Sequence, residues 1–224
     1  MESGIINWQM AAVYTARALA LLTAIPFHEA AHAWASDKLG DSTAKRYGRL
    51  SLNPLRHFDP LGALCMILVG FGWAKPVPIA ATSNFRHPKR DMALSAAAGP
   101  LSNLLLAYVC MILYKLAWYL TPSGWMWDFL CVLLQTMVQV NITLAVFNLL
   151  PVPPLDGSRI FNLILPRRWY FGIMRYERYI MIALLAVLWS GLLDRPLSAL
   201  FSWAMSALNY GTIYVELILR AVLW

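Results

Sequence analysis

The chain is predicted to be an α-helical, polytopic membrane protein of about four to six transmembrane helices, with a re-entrant half-helix and a small edge β-sheet near its site. Composition is the first reason. Of 224 residues, 60% are hydrophobic, only 13% are charged and 10 are Trp, and the mean hydropathy is +0.57. Soluble domains carry far more charge. The second reason is the length of the apolar runs, several of which approach the roughly 20 residues needed to cross a bilayer. The third is the placement of the basic residues behind the net charge of +7. They are scattered between apolar runs, as topology determinants are, which argues against a nucleic-acid partner and for a lipid bilayer.

Taken in order, the first span covers residues 10–34. Its Ala31-His32-Ala33 mimics a signal-peptidase site, but no basic region precedes the apolar stretch, so the segment is expected to be retained. A polar stretch at 36–59 follows, punctuated by Gly, Asn and Pro. Residues 61–72 are apolar yet too short to span, and read as the half-helix. In Lys75-Pro-Val-Pro-Ile-Ala80 the paired prolines forbid helix and favour extended backbone. Together with 47–52 it is expected to form the edge sheet.

Residues 92–120, 129–150 and 179–193 read as clearer spans. The tail at 197–224 is either a further span or an amphipathic helix in the interface, with Glu216 and Arg220 spaced as an i,i+4 pair. The loop 121–128 lacks Lys and Arg, whereas 38–56, 86–90 and 159–178 are rich in them. The positive-inside rule therefore places those three regions in the cytoplasm. Cys65, Cys110 and Cys131 lie in apolar segments and read as small hydrophobes rather than ligands or disulfides. Residues 1–224 read as a single core domain without internal repeats.

At the end of the first span stands His28-Glu29-Ala30-Ala31-His32. On a helix this spacing stacks both imidazoles on one face, one turn apart, where they can hold a single metal ion. Glu29 sits on the flank, able to reach a water bound at that ion. With only 4 His in the chain, a chance match is on the order of one in a thousand. A catalytic zinc takes three protein ligands and keeps a position open. The remaining histidines are His57, in turn chemistry between Asn53-Pro54 and Asp59-Pro60, and His87, in a basic run and expected to be solvated. His57 reads either as a satisfied loop histidine or as a group supporting the site.

Asp156 is the preferred third ligand. It follows a long apolar span within Asn148-Leu-Leu-Pro-Val-Pro-Pro-Leu-Asp-Gly157. Three prolines break the helix there, so the bent backbone can present a carboxylate inward. The alternative is an N-cap for a helix starting at Ser158. A doubly charged zinc, two neutral imidazoles, Asp156 and Glu29 sum to zero charge, as a low-dielectric site favours. Asn141 and Asn148 share one face of their span. An amide there needs a partner, either another helix or, at Asn148, a substrate carbonyl or oxyanion. Asn103, after Gly99-Pro100, reads chiefly as a helix-packing residue.

Five pieces in order resemble the site-2 protease family of zinc-dependent intramembrane metalloproteases. They are Phe27-His-Glu-Ala-Ala-His32, Asn53-Pro-Leu-Arg-His-Phe-Asp-Pro-Leu-Gly62, Gly72-Trp-Ala-Lys-Pro-Val-Pro78, Ala98-Gly-Pro-Leu-Ser-Asn103 and Asn148 to Gly157. The resemblance implies one zinc ion per chain, ligands His28, His32 and Asp156, Glu29 as general acid and base, and Asn148 near the zinc in contact with substrate. It implies a compact form without PDZ or nucleotide-sensing domain. It also implies a multi-pass protein of the bacterial plasma membrane, its site towards the cytoplasm.

The expected activity is hydrolysis of a peptide bond in or beside the transmembrane helix of a single-span protein. The expected biological setting is regulated intramembrane proteolysis or clearance of signal-peptide remnants. One alternative is a different membrane zinc protease with Glu177 or Glu216 as third ligand. The other is a zinc-binding membrane protein or transporter without proteolytic activity, which should show further paired intramembrane carboxylates or an inverted repeat.

Overall fold

The computed structural model describes residues 8–57, 59–60, 75–80, 84–120, 122, 124–166, 172–173 and 175–223. Three helices form its centre: α1 (Trp8–Lys38), α4 (Pro88–Leu120) and α5 (Trp125–Asn148), each packed against the other two. They are the described helices long and apolar enough to cross a membrane. Ala16, Ala20 and Ala24 on α1 are fully buried, as is Ala107 on α4. Such small residues let helix backbones approach closely where lipid offers no hydrophobic drive. The loop after α1 carries two single-turn helices, α2 (Thr43–Arg46) and α3 (Pro54–His57).

After α5 the proline-rich turn leads into α6 (Asp156–Phe161), which packs on α4. Gly157 permits this, because a Cβ there would stand 2.3 Å from the Leu149 carbonyl oxygen. The C-terminal part holds α7 (Glu177–Trp189), α8 (Asp194–Gly211) and α9 (Ile213–Leu223). Phe201, Ala204, Met205 and Leu208 of α8 pack on a buried cluster of Ala107, Cys110, Met111, Val138 and Ile142. Cys110 thus acts as a small core hydrophobe, while Cys131 is half-buried and free.

Three expectations change. The first is the edge sheet, since the described residues contain no strand. The 75–80 segment is extended, but three of its four backbone donors are committed elsewhere: Lys75 N–H to His57 O, Val77 N–H to Glu29 and Ala80 N–H to Asp41. Pro76 and Pro78 have none to give, so no ladder with 47–52 forms.

The second is the span at 179–193. Here α7 stops at Trp189, Gly191 turns with φ 73°, and α8 leaves at 86°. A 13-residue helix is only about 20 Å long, short of the bilayer core. The described spans therefore number three, or four if this bent pair counts as one.

The third is the tail, which breaks at Thr212 into α8 and α9. Glu216 there pairs with Lys115 of α4 at 2.7 Å. Arg220 Nε donates to the Tyr119 hydroxyl instead. The expected half-helix at 61–72 and Cys65 lie outside the described residues.

Candidate metal centre

His28 and His32 are both buried on the inner face of α1. Their Nε2 atoms lie 3.0 Å apart, and Asp156 Oδ2 lies 3.1 Å from each. Three side chains, two of them 124 and 128 positions from the third, thus converge on one point. Ligand atoms around a tetrahedral zinc stand roughly 3.3 Å from one another, so the triangle needs almost no rearrangement to hold one.

The hydrogen bonds behind the triangle fix its chemistry. His28 Nδ1 lies 2.6 Å from Asn103 Oδ1, and His32 Nδ1 lies 2.7 Å from the Ser95 carbonyl oxygen. A carbonyl oxygen only accepts, so His32 carries its proton on Nδ1. For His28 the orientation of Asn103 decides. Asn103 Nδ2 donates to Asn141 Oδ1 at 2.8 Å and to Ala24 O at 3.3 Å. Asn141 Nδ2 in turn donates to Met137 O at 2.8 Å. Because Met137 O is an acceptor, each amide in the chain has one permitted orientation, and Asn103 Oδ1 must face His28. Both neutral rings therefore turn Nε2 lone pairs towards Asp156.

Three lone-pair donors facing one another repel unless a cation lies among them. The donor set therefore fits a zinc ion, which takes N and O ligands in this number.

Gly99 explains how α4 reaches the site. A Cβ on it would stand 2.3 Å from His32 Nε2 and 2.7 Å from His28 Cε1, so the helix backbone itself forms the wall of the site. Ser95 and Ser102 stitch the same two helices, their hydroxyls donating to His32 O and to Phe27 O.

The remaining expected residues divide. Asp156 is the first residue of α6, with Leu155 in the cap position, and its Oδ2 faces both histidines. Glu29 follows His28 on α1, and its Oε2 accepts from Val77 N–H at 3.2 Å. Asn103 stands directly behind His28. Asn148 ends α5, where its Nδ2 donates to its own helix at Leu144 O, 3.0 Å away. His57 is 2% exposed, with Nε2 donating to Ser51 O and its carbonyl accepting from Lys75. Those bonds give it a loop-tethering place. His87 is exposed, as expected. Glu216 is committed to Lys115, which removes it as a third ligand.

The sequence reading did not single out Ser95, Gly99 and Asp41, and gave Asn141 no part in the metal centre. A glycine beside a proline inside an apolar run, as at Gly99-Pro100, was the one local signal among them.

Residues 123–190 match Peptidase family M50. The chain is 37% identical over 195 residues, 86% of its length and 85% of the relative's, to a Bacillus subtilis (strain 168) protein named "Putative zinc metalloprotease YwhC". It is 30% identical over 139 residues, 61% of its length and 52% of the relative's, to "Putative zinc metalloprotease Rip2" of Mycolicibacterium smegmatis. A third relative, "Putative zinc metalloprotease MJ0611" of Methanocaldococcus jannaschii, is 28% identical over 102 residues, 46% of this chain and 49% of the relative. No solved structure matches.

Proposed function

The chain belongs to peptidase family M50, the site-2 protease family, and on that premise we propose that it is a zinc-dependent endopeptidase. It cleaves a peptide bond within or next to the transmembrane helix of a single-span protein. The observation that carries this reading is the convergence of His28, His32 and Asp156, with their lone pairs inward, beside the carboxylate of Glu29. One zinc per chain would supply a water of lowered pKa and polarise the scissile carbonyl. With zinc held by His28, His32 and Asp156, the Glu29 carboxylate would accept a proton from the attacking water and deliver it to the leaving nitrogen. Asn103 and the Ser95 carbonyl hold the two imidazoles in the tautomer that leaves Nε2 free.

A helical peptide has its carbonyls engaged, so substrate must unwind locally before attack. Lys and Arg placement supports a multi-pass protein of the bacterial plasma membrane with this site towards the cytoplasm. Asn148, at the end of α5 and eight residues before Asp156, supports substrate contact there.

The test is cleavage of a model single-span substrate reconstituted with the purified protein, alongside metal analysis. Wild type should hold one zinc and cleave. Glu29→Gln should hold zinc and not cleave. Full cleavage by that variant refutes the role of Glu29, and a zinc-loaded wild type that cleaves no such substrate refutes the proteolytic reading in favour of a non-enzymatic zinc protein.

A further inference from the structure

Just past α1, the carboxylate of Asp41 is fully buried. Its Oδ1 accepts from Thr43 N–H at 3.0 Å, Thr43 Oγ1 at 2.5 Å and Asn84 Nδ2 at 2.7 Å, and its Oδ2 accepts from Ala80 N–H at 2.7 Å. All four donors are neutral. A buried carboxylate is expensive unless fixed donors surround it. Such a network therefore specifies one geometry more than it adds stability. Two of the donors belong to the loop of Asp41 itself. The other two come from 39 and 43 positions away. The backbones also approach closely here. Gly40 turns with φ 111°, and a Cβ on it would stand 3.3 Å from Asn84 O.

The segment tied down in this way is the one that meets Glu29. Three residues before Ala80, Val77 N–H donates to Glu29 Oε2. Successive N–H groups of an extended chain point to opposite sides, so the Val77 edge faces Glu29 and the Ala80 edge faces Asp41. The neighbours of Val77 are Pro76 and Pro78. A slip of one residue in either direction would set a proline, which has no N–H, opposite Glu29. Among the observed register and its two one-residue slips, only the observed one gives the catalytic carboxylate a backbone donor, and just beyond the end of α1, which carries Glu29, stands the anchor that holds that register.

We infer that Asp41 is a positioning residue for peptide hydrolysis, acting through Ala80 and Asn84 to hold the 75–80 segment in the one register that presents Val77 N–H to Glu29. This inference rests on the proteolytic reading, but one of its tests does not.

In Asp41→Ala and Asp41→Asn, zinc per chain should stay at the wild-type level, because neither His28, His32 nor Asp156 touches Asp41. The kcat per zinc-loaded chain should fall at least tenfold. Hydrogen exchange of the 75–80 segment should quicken. The exchanged pair Asp41→Asn with Asn84→Asp keeps an acceptor for Ala80 N–H and lets residue 41 donate to residue 84. It should raise kcat at least threefold over Asp41→Asn and slow the exchange of the segment relative to that variant, short of wild type because Thr43 N–H loses its acceptor. This pair carries the comparison if Asp41→Ala does not fold.

Wild-type kcat per zinc in Asp41→Asn, or an exchanged pair no better than that single variant, overturns the inference. Unchanged exchange of the segment in Asp41→Asn overturns it whether or not the protein cleaves anything. A wild type that holds zinc without cleaving, yet shows the exchange pattern expected here, removes the proteolytic reading and the catalytic part of this inference with it.

Discussion

His28 Nδ1 and Asn103 Oδ1 lie 2.6 Å apart across 75 positions of sequence, and the orientation of that amide is set by a third residue, Asn141, on another helix. A ligand histidine held this way keeps its lone pair on the metal side and its ring at a fixed angle. Removing such a partner typically weakens metal affinity by about 10–100-fold. Asn103→Ala should therefore bind zinc that much less tightly in a chelator competition, and Asn141→Leu should weaken it in the same direction by less. Wild-type affinity in Asn103→Ala would show that the amide only packs helices.

Gly99 makes a sharper case, because nothing flexible stands in the way of an added methyl. A Cβ would lie 2.3 Å from a ligand nitrogen and 2.7 Å from a ring carbon of the other histidine, well inside van der Waals contact. Gly99→Ala removes no polar group and favours helix locally. Its expected signature is therefore zinc lost from a chain of unchanged helical content, read by metal analysis and circular dichroism. Stoichiometric zinc in that variant would mean that α4 can withdraw from α1.

The contrast between these residues shows what the sequence could reveal. The histidine pair was legible because i,i+4 spacing is a local geometric fact, and Asp156 because prolines mark where a helix must end beside a carboxylate. Ser95, Asn141 and Asp41 were not, since their meaning lies in contacts with residues 38 to 63 positions away. No short pattern announces those. The edge sheet failed for a related reason. The prolines of 75–80 correctly require extended backbone, but whether its N–H groups meet a neighbouring strand or two carboxylates is decided by tertiary placement. The break between α7 and α8 was legible and passed over. Ser190-Gly191 followed by Asp194-Arg195-Pro196 is a helix stop and a helix start.

Lys115 and Glu216 form an ion pair at 2.7 Å that ties α9 to α4, with the lysine side chain 5% and the glutamate 29% exposed. Lys115 also donates to Asn209 O at 3.2 Å, so the C-terminal helices are held to α4 at two points by one cation. Leaving a buried charge without its partner costs about 3 kcal/mol, whereas removing both charges is often close to neutral. Glu216→Gln and Lys115→Met should each lower the thermal midpoint in detergent, and the double variant should recover most of the loss. Equal midpoints for all four proteins would mean that the pair is as weak as a surface one.

The pH dependence of the Asp41 tether follows from its surroundings. Burial pushes the Asp41 carboxyl up, but the donors from Thr43, Asn84 and Ala80 outweigh it and hold the group below its ordinary value. A carboxyl lowered in the folded state stabilises fully above its unfolded pKa of about 3.9, and that contribution drains away as pH falls through the folded value. The difference in thermal midpoint between wild type and Asp41→Asn should therefore be steady from about pH 5 to 7 and should shrink as the solution is acidified below about pH 4. Asparagine cannot ionise, so it loses nothing over that range. A gap that widened on acidification would reverse the sign of the argument and mean that Asp41 is protonated when the loop is folded.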